Sequence, residues 1–324
     1  MPSKIIHLDQ KDWIDLARGY NDQAPEHRKI ARIVVSKADS GEAIFPLSLI
    51  HFSETVRNLN TERRKRLAKY MMLVSRGWAV LPFPMMFLPE LQNAILREIG
   101  LPGYNLQGIA IKKGLSQLVG AKGTIVSKDP RKAVPPQVEK YLLERIESPE
   151  TLLLLMELGL GESFIKESYS NAIATVGKLE QIRRSWQSRI RDNNLLRRAI
   201  ITEYLINSIG PPLMTSLLNI HMNPKAFLRI HLTNRQSITQ FFQWMPANYC
   251  YAQLTLYRDM LKARKIQPND THDIISLAMA LPYADVVLTE GMWQTAVQQT
   301  KLDELRPTTV LRSVTELLPV LSST

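Results

Sequence analysis

Five acidic residues stand where their carboxylates could act together. Asp9 directly follows the short apolar run KIIHL, and Glu54 lies in the helix predicted after the run AIFPL. Asp270 and Asp273 stand at the start of a predicted helix that leads into the run ADVVLT, and Glu290 follows that run. The carboxyl ends of parallel strands meet at one edge of a sheet, where ligands gather. We therefore expect these carboxylates to converge on one site.

Carboxylates that are brought together repel one another, and a hard cation such as Mg²⁺ or Mn²⁺ relieves that repulsion. An acidic site of this kind predicts metal-assisted attack of water on a phosphodiester. Taken singly, each acid also has a simpler interpretation. Asp9 could only end a strand, and Glu54 could be a solvated helix residue. Asp270 and Asp273 have the spacing of a helix capping box.

Basic residues point to a polyanionic partner. The chain has 41 Lys and Arg against 30 Asp and Glu, a formal charge of +11, and its isoelectric point is about 9.7. One basic cluster lies at residues 63–66 and another at residues 178–198. Each could be the solvated face of a helix, but two clusters in a basic protein favour a phosphate backbone. The predicted nucleic-acid-binding residues are Arg63, Arg64, Arg66, Arg183, Arg184, Arg189 and Arg191.

Composition excludes several classes of protein. Of the 324 residues, 45% are hydrophobic and 22% are charged, which is typical of a folded domain and not of a disordered chain. Cys250 is the only cysteine, so the chain has no internal disulfide. It has no uninterrupted apolar run of 18 residues and no signal-like segment at Met1. We expect a cytoplasmic protein that does not enter the membrane.

Hydrophobic patterns place these residues on an α/β framework. The predicted strands are Lys4–Leu8, Ala43–Leu47, Trp78–Phe83, Ala284–Thr289 and Thr309–Arg312, and helical patterns separate them. Strands that alternate with helices predict an open parallel sheet flanked by helices. The segment between these regions is dominated by long helical patterns and includes a loop-like stretch at 120–136. We therefore predict a discontinuous core formed by residues 1–84 and 246–324, with a large all-α insertion or lid at residues 85–245.

Three segments, KIIHLDQKDWIDLA, FPLSLIHFSET and NDTHDIISLAMALPYADVVLTE, resemble the acidic blocks of PIN-domain (PilT N-terminus) nucleases. That family includes VapC-like toxins and other single-strand RNA endonucleases. The resemblance covers about the first 84 and the last 75 residues. It implies a PIN-like fold and places the family's four acids at Asp9, Glu54, Asp273 and Glu290. The last acid of the family is usually an aspartate, and Asp285 is a possible substitute for Glu290.

The leading hypothesis is a metal-dependent endoribonuclease that cleaves single-stranded RNA, and its role as a toxin, a defence effector or a processing enzyme stays open. Its catalytic residues would be the four acids of the resemblance, and its Mg²⁺ or Mn²⁺ ligands would be drawn from those four together with Asp270 and Asp285. Two alternatives stay open: an inactive PIN-like protein that binds nucleic acid or serves as a scaffold, and a structure-specific DNA nuclease. A regulatory protein and a second copy of the chain are further candidate partners.

Overall fold

A computed structural model describes residues 3–126, 134–261 and 263–322. Residues 127–133, which belong to the predicted loop at 120–136, lie outside the described residues. The strands are β1 Lys4–His7, β2 Ala43–Ile44, β3 Trp78–Val80, β4 Ile111–Lys113, β5 Val286–Leu288 and β6 Thr309–Leu311. The helices of the first half are α1 Gln10–Tyr20, α2 Pro25–Asp39, α3 Leu49–Val56, α4 Thr61–Ser75, α5 Phe83–Glu98, α6 Leu106–Ala110, α7 Leu115–Val119, α8 Pro136–Ile146 and α9 Pro149–Leu158.

The second half begins with the longest helix of the described chain, and a π-helical segment, Leu205–Ile209, continues one of its shorter helices. No helix in the described ranges is both long and apolar enough to cross a lipid bilayer. The helices of the second half are α10 Glu162–Arg189, α11 Asn193–Tyr204, α12 Gly210–Asn219, α13 Pro224–His231, α14 Arg235–Gln243, α15 Pro246–Met260, α16 Asp270–Tyr283, α17 Gly291–Thr300 and α18 Leu317–Ser322.

Four of the strands form a parallel sheet with the order β2-β1-β5-β6. In register, Ile6 pairs with Val286, and Val287 pairs with Val310. Four of the five predicted strands, drawn from both ends of the chain, therefore form a parallel sheet. The fifth, at Trp78–Val80, is corrected, because it pairs antiparallel with β4 in a separate two-stranded sheet. From β1 the chain continues to one side of the sheet, to β2, whereas from β5 it continues to the other side, to β6. In an open α/β sheet, ligands bind at the carboxyl ends of the strands where the order reverses, which here is between β1 and β5.

Side chains on alternate strand positions are buried on opposite faces of this sheet, as the period of two requires. Ile6 and Val286 pack into a core with α1, α2 and α4. Ile5 and Val287 pack into a second core with α15, α16 and α17. Helices on both faces explain why the strands are apolar runs without a polar face.

The central segment is helical but not all-α. Its strand β4 pairs antiparallel with β3, and a bridge between Leu47 and Ala79 joins this pair to the chain that follows β2. The prediction of an all-α insertion is corrected at β4, where a strand of only three residues, two of them lysines, carries no apolar pattern.

The central segment also shares the cores of the sheet. Leu118 and Met156 belong to the core that contains α1 and α2, and Met86 belongs to the core that contains α15 and α16. A third core joins α5, α12, α13 and α14 to one side of α15. Helices α12, α13 and α14 thus pack on α5 and α15, and these two helices also pack against the sheet.

Candidate functional site

Asp9 lies at the carboxyl end of β1, where the chain turns from strand to helix. It is the N-cap of α1, and its Oδ1 accepts a hydrogen bond from the Gln10 amide at 2.7 Å. The Asp12 carboxylate accepts from the Asp9 amide at 3.3 Å and completes a capping box. Burial raises the pKa of the Asp9 carboxyl, the hydrogen bond from Gln10 opposes this rise, and the negative charge of Glu290 adds to it. Asp9 therefore caps α1 and also interacts electrostatically with a distant acid.

Glu54 is brought to the same edge by α3. Ser48 caps this helix by accepting from the His51 amide at 3.2 Å, and the His51 Nδ1 accepts from the Ser48 amide at 3.1 Å. The Gln10 side-chain amide donates to Thr55 Oγ1 at 3.3 Å, which ties the start of α1 to α3 beside Glu54. Burial, followed by the charge of Asp9, raises the pKa of Glu54 to about 7. Asp9 and Glu54 thus belong to one electrostatic cluster.

Asp273 lies in the first turn of α16 and interacts electrostatically with Asp9, Glu54 and Glu290. Its Oδ2 accepts a hydrogen bond from the Trp293 indole N–H at 2.9 Å, which fixes the carboxylate. Burial raises its pKa to about 7, against the hydrogen bond from Trp293. The charges of Asp9, Glu290 and Glu54 each contribute to this rise. The charges of the other three predicted acids therefore all act on Asp273.

Glu290 is the exposed N-cap of α17, directly after the carboxyl end of β5. Because β1 and β5 are adjacent and parallel, Glu290 and Asp9 leave the sheet at the same edge. We call Asp9, Glu54, Asp273 and Glu290 the acidic cluster. It lies where the strand order reverses, which is the expected location of a ligand site in this architecture.

Asp12 is an acid that the sequence analysis did not assign to the site. Its side chain is buried, and burial followed by the charge of Asp9 raises its pKa to about 7. Its position three residues after a helix N-cap is typical of a capping residue, which is also what the structure shows. The only signal of proximity to the site was its closeness to Asp9 in the chain.

Two buried histidines, His7 and His51, stand two and three residues before Asp9 and Glu54 in the chain. The ring of His7 stacks on that of His51 with centroids 5.2 Å apart, and His7 Nε2 lies 2.9 Å from Ser276 Oγ. Burial lowers the pKa of His7 to about 4 and lowers the pKa of His51 well below its ordinary value. Both rings are therefore neutral at pH 7 and do not offset the charge of the acidic cluster.

The acidic cluster fits a hard divalent cation in the type of its ligands. Carboxylate oxygens are preferred by Mg²⁺ and Mn²⁺, and the raised pKa values of Glu54 and Asp273 indicate that added positive charge is favoured there. Within the described ranges, however, no three His, Cys, Asp or Glu side chains are grouped closely enough to hold a metal ion. The ligand type fits, whereas a closely packed ligand set is not formed.

Asp270 and Asp285 are not brought into the acidic cluster, which corrects their assignment as metal ligands. Both oxygens of the buried Asp270 pair with the guanidinium of Arg264, at 2.6 and 2.7 Å. Asp285 lies just before β5, at the amino end of that strand. It accepts from the Ile5 amide at 2.8 Å and pairs with Arg306 at 3.0 Å. Because the sheet is parallel, this is the edge opposite to the acidic cluster.

Two of the seven predicted nucleic-acid-binding arginines are buried structural contacts. Arg64 is 7% exposed and donates to the carbonyls of Asn58, Glu157 and Leu158 at 2.6 to 3.3 Å. Arg183 is 8% exposed, pairs with Glu180 at 2.6 Å, and donates to the Arg264 carbonyl at 2.8 Å. Their guanidinium groups are occupied inside the protein, which corrects their assignment. The other five are exposed or half-buried: Arg63, Arg66, Arg184, Arg189 and Arg191.

No protein-family model, curated protein or solved structure matches this chain. The interpretation of the site therefore depends on its own geometry and chemistry.

Proposed function

We propose that this protein is a metal-dependent phosphodiesterase that cleaves single-stranded RNA. The observation that carries this proposal is that Asp9 and Glu290 follow the adjacent parallel strands β1 and β5 at one edge of the sheet, where the charges of Asp9, Glu54 and Glu290 all act on Asp273. These four acids come from separate segments of the chain, and this proposal assigns them to the edge of the parallel sheet at which ligands bind in such folds. A fold does not by itself define a function, so the proposal is based on this site.

The acidic cluster would hold Mg²⁺ or Mn²⁺. When bound, such an ion supplies a water of lowered pKa and stabilises the charge that develops on the phosphoryl oxygens. The protein's own contribution is to orient the ligands. The Trp293 N–H holds one oxygen of Asp273, and the Gln10 amide holds one oxygen of Asp9. The hydrogen bond from Trp293 is to one oxygen of Asp273, which leaves the other to a cation, whereas the Asp9 side chain also accepts from the Asp12 amide in the capping box.

RNA as the substrate is supported by the resemblance to PIN-domain nucleases and by the formal charge of +11. A net positive protein attracts a phosphate backbone, whereas the acidic cluster alone would repel it. The exposed arginines at the end of α10 and on α4 are the candidate contacts with the backbone.

A second candidate is a protein with this fold that binds nucleic acid without cleaving it. The observation that favours it is the lack, among the described residues, of three acidic or histidine side chains grouped closely enough for an ion. The same experiment distinguishes the two functions.

The test compares the wild type with Asp9→Asn, Asp273→Asn and Asp285→Asn. Asp285 is the matched control, because it flanks β5 at the opposite edge of the sheet. We expect Mn²⁺ to raise the melting temperature of the wild type and to support cleavage of labelled single-stranded RNA. Asp9→Asn and Asp273→Asn should lose both effects, with cleavage reduced by about 100-fold or more, whereas Asp285→Asn should retain both.

Labelled single-stranded RNA and DNA are compared in the same assay. Cleavage of DNA alone would identify a DNA nuclease. RNA binding without any effect of Mn²⁺ on stability or cleavage would identify the non-catalytic protein. Equal cleavage by wild type and Asp9→Asn would refute the assignment of the site.

A further inference from the structure

An ion pair between Arg264 and Asp270 lies beside the acidic cluster. The guanidinium Nη1 and Nη2 approach the two carboxylate oxygens of Asp270 at 2.6 and 2.7 Å, which is the bidentate geometry. Asp270 Oδ2 also accepts from the Gln267 amide at 2.8 Å. Both oxygens of Asp270 are thus used to hold one arginine.

The two partners differ in their access to solvent. The Asp270 side chain is 2% exposed, whereas the Arg264 side chain is 31% exposed. A guanidinium has five N–H donors in a planar fork, and the carboxylate of Asp270 takes two of them. Nη1 also donates to the Lys265 carbonyl at 3.5 Å. No hydrogen bond among the described residues uses the Nε–H or the second N–H of Nη2, so these two donors can bind an acceptor outside the pair. Asp270 and Asp273 lie three residues apart in the first turn of α16, so the partner of Arg264 is one helical turn from the acidic cluster, and the charges of Asp273 and Glu290 act on Arg264.

The loop that carries Arg264 is fixed from a second direction. The buried Arg183 of α10 donates to the Arg264 carbonyl at 2.8 Å, and Glu180 of the same helix accepts from the Ile266 amide at 2.7 Å. Arg264 is therefore held at its side chain by α16 and at its backbone by α10. A cation that is oriented in advance costs little reorganisation when an anion arrives.

We propose that Arg264 contacts a phosphate of the bound RNA, beside the acidic cluster, and that Asp270 positions it. This proposal rests on the proposed function. It adds a positively charged residue that can bind the phosphate, which the four acids cannot do. Carboxylates attract a cation but repel a phosphodiester, and a fixed arginine fork matches the geometry of phosphate oxygens. Asp270 acts through Arg264 and is a positioning residue.

The rival interpretation is that Arg264 only neutralises the neighbouring acids. The two interpretations predict opposite results for Arg264→Gln. A phosphate contact predicts weaker RNA binding and no loss of Mn²⁺ binding. A neutralising role predicts unchanged RNA binding and tighter Mn²⁺ binding, because a competing positive charge has been removed.

The experiment uses the full chain with Arg264→Gln, Arg264→Lys, Asp270→Asn and the double variant Asp270→Asn with Arg264→Gln. Arg306→Gln is the matched control, since Arg306 forms a similar ion pair with Asp285, and its side chain is 32% exposed. Binding of a fluorescent single-stranded RNA is measured by anisotropy in Ca²⁺ and in EDTA over a range of salt. Mn²⁺ binding is measured by thermal shift, and cleavage is measured in Mn²⁺.

We expect Arg264→Gln to weaken RNA binding, to reduce the salt slope by about 0.7, and to reduce cleavage by about 100-fold. Arg264→Lys should restore part of the binding, because it retains the charge but not the fork. Asp270→Asn should have a smaller effect than Arg264→Gln. The double variant should be no worse than Arg264→Gln, because residues that act as one unit are not additive.

The outcomes separate the two proposals. Wild-type RNA binding and cleavage in Arg264→Gln would overturn the role of Arg264 and leave the proposed function intact. RNA binding that depends on Arg264, without cleavage by the wild type, would support the role of Arg264 and refute the catalytic function. If the wild type neither binds nor cleaves RNA, both are refuted. If Arg306→Gln loses as much RNA binding and cleavage as Arg264→Gln does, the assignment is also overturned, because the loss would then reflect net charge alone.

Discussion

At the scale of single residues, the acidic cluster lowers the stability of the folded protein while supplying the negative charges that the proposed function needs. Burial and, after it, neighbouring negative charges raise the pKa of Glu54 and of Asp273 to about 7. A carboxyl with a raised pKa is destabilising when it is ionised. Such groups persist in proteins mainly where a site needs them.

The pH dependence of stability tests this description at Glu54. In the unfolded chain a glutamate titrates near pH 4.3, whereas in the folded protein the pKa of Glu54 is about 7. The folded state therefore binds the proton more tightly. The stability that this proton provides is fully present below about pH 4.3 and is lost as the pH rises through 7.

Glu54→Gln removes this titration, so the variant should melt above the wild type at pH 8, by about 2–4 °C. The difference should shrink towards pH 4.5, and both proteins are measured by thermal unfolding in EDTA. Glu62→Gln is the control, because Glu62 is an exposed residue in the first turn of α4. A Glu54→Gln variant that is less stable than the wild type at pH 8 would contradict the prediction.

The acids of the site could be predicted from the sequence, whereas the arginine beside them could not. Asp9 and Glu290 follow apolar runs that became neighbouring parallel strands, so their meeting follows from topology. Arg264 reaches the site only because Asp270 is buried and because α10 packs against its loop. The capping spacing of Asp270 and Asp273 gives no sign that one pairs with an arginine while the other joins the acidic cluster.

At the scale of elements, the basic cluster at the start of α4 shows how helix geometry separates identical residue types. Arg63 is exposed, whereas the adjacent Arg64 is buried and donates to the carbonyls that end α9. Successive residues on a helix point about 100° apart, so only one of the two faces α9. Arg64 thereby satisfies carbonyls that the end of a helix leaves without partners.

We expect Arg64→Lys to lower the free energy of unfolding by about 1–3 kcal/mol, because an ammonium cannot reach the three carbonyls that the guanidinium contacts. Arg63→Lys, with the same chemical change one residue away, should change it by less than about 0.5 kcal/mol. Urea unfolding of both variants measures the difference. Equal effects would show that Arg64 does not fasten α9 to α4.

Some ends of the helices in the central segment could be predicted from the sequence. The central segment is predicted from long helical patterns, but the structure divides residues 136–158 between two helices, α8 and α9. Ser148 caps α9, and Pro149 occupies its first turn, a combination that marks a helix start. β4 had no such signal, because its pairing with β3 depends on a contact about 33 residues away in the chain.

At the scale of the whole molecule, a net positive chain carries a local concentration of acids. Helix α10 carries exposed arginines and also contacts the loop that leads to α16. Its Glu180 and Arg183 contact the loop before α16, and Gln187 donates to the Asp259 carbonyl at 3.1 Å. The carboxyl-terminal end of α10 is therefore docked near the acidic cluster. The exposed arginines that follow Arg183 extend from this docked end.

The final prediction concerns these exposed residues, Arg184, Arg189 and Arg191. If they contact the RNA backbone, replacing all three with Gln should reduce the slope of log K against log salt by about 2, since each single-strand contact contributes about 0.7. Mn²⁺ should stabilise this variant as it does the wild type, because the acidic cluster is unchanged. Anisotropy with a single-stranded RNA at several salt concentrations measures the slope.

The matched control for this prediction replaces Arg28, Lys29 and Arg32 with Gln. These residues are exposed on α2, and the change in net charge is the same. A smaller change of slope in this control would locate the RNA path along the end of α10. Equal slopes in the two triple variants would show that net charge alone attracts the RNA. An unchanged slope in the α10 variant would mean that this helix serves only to hold the loop of Arg264 in place.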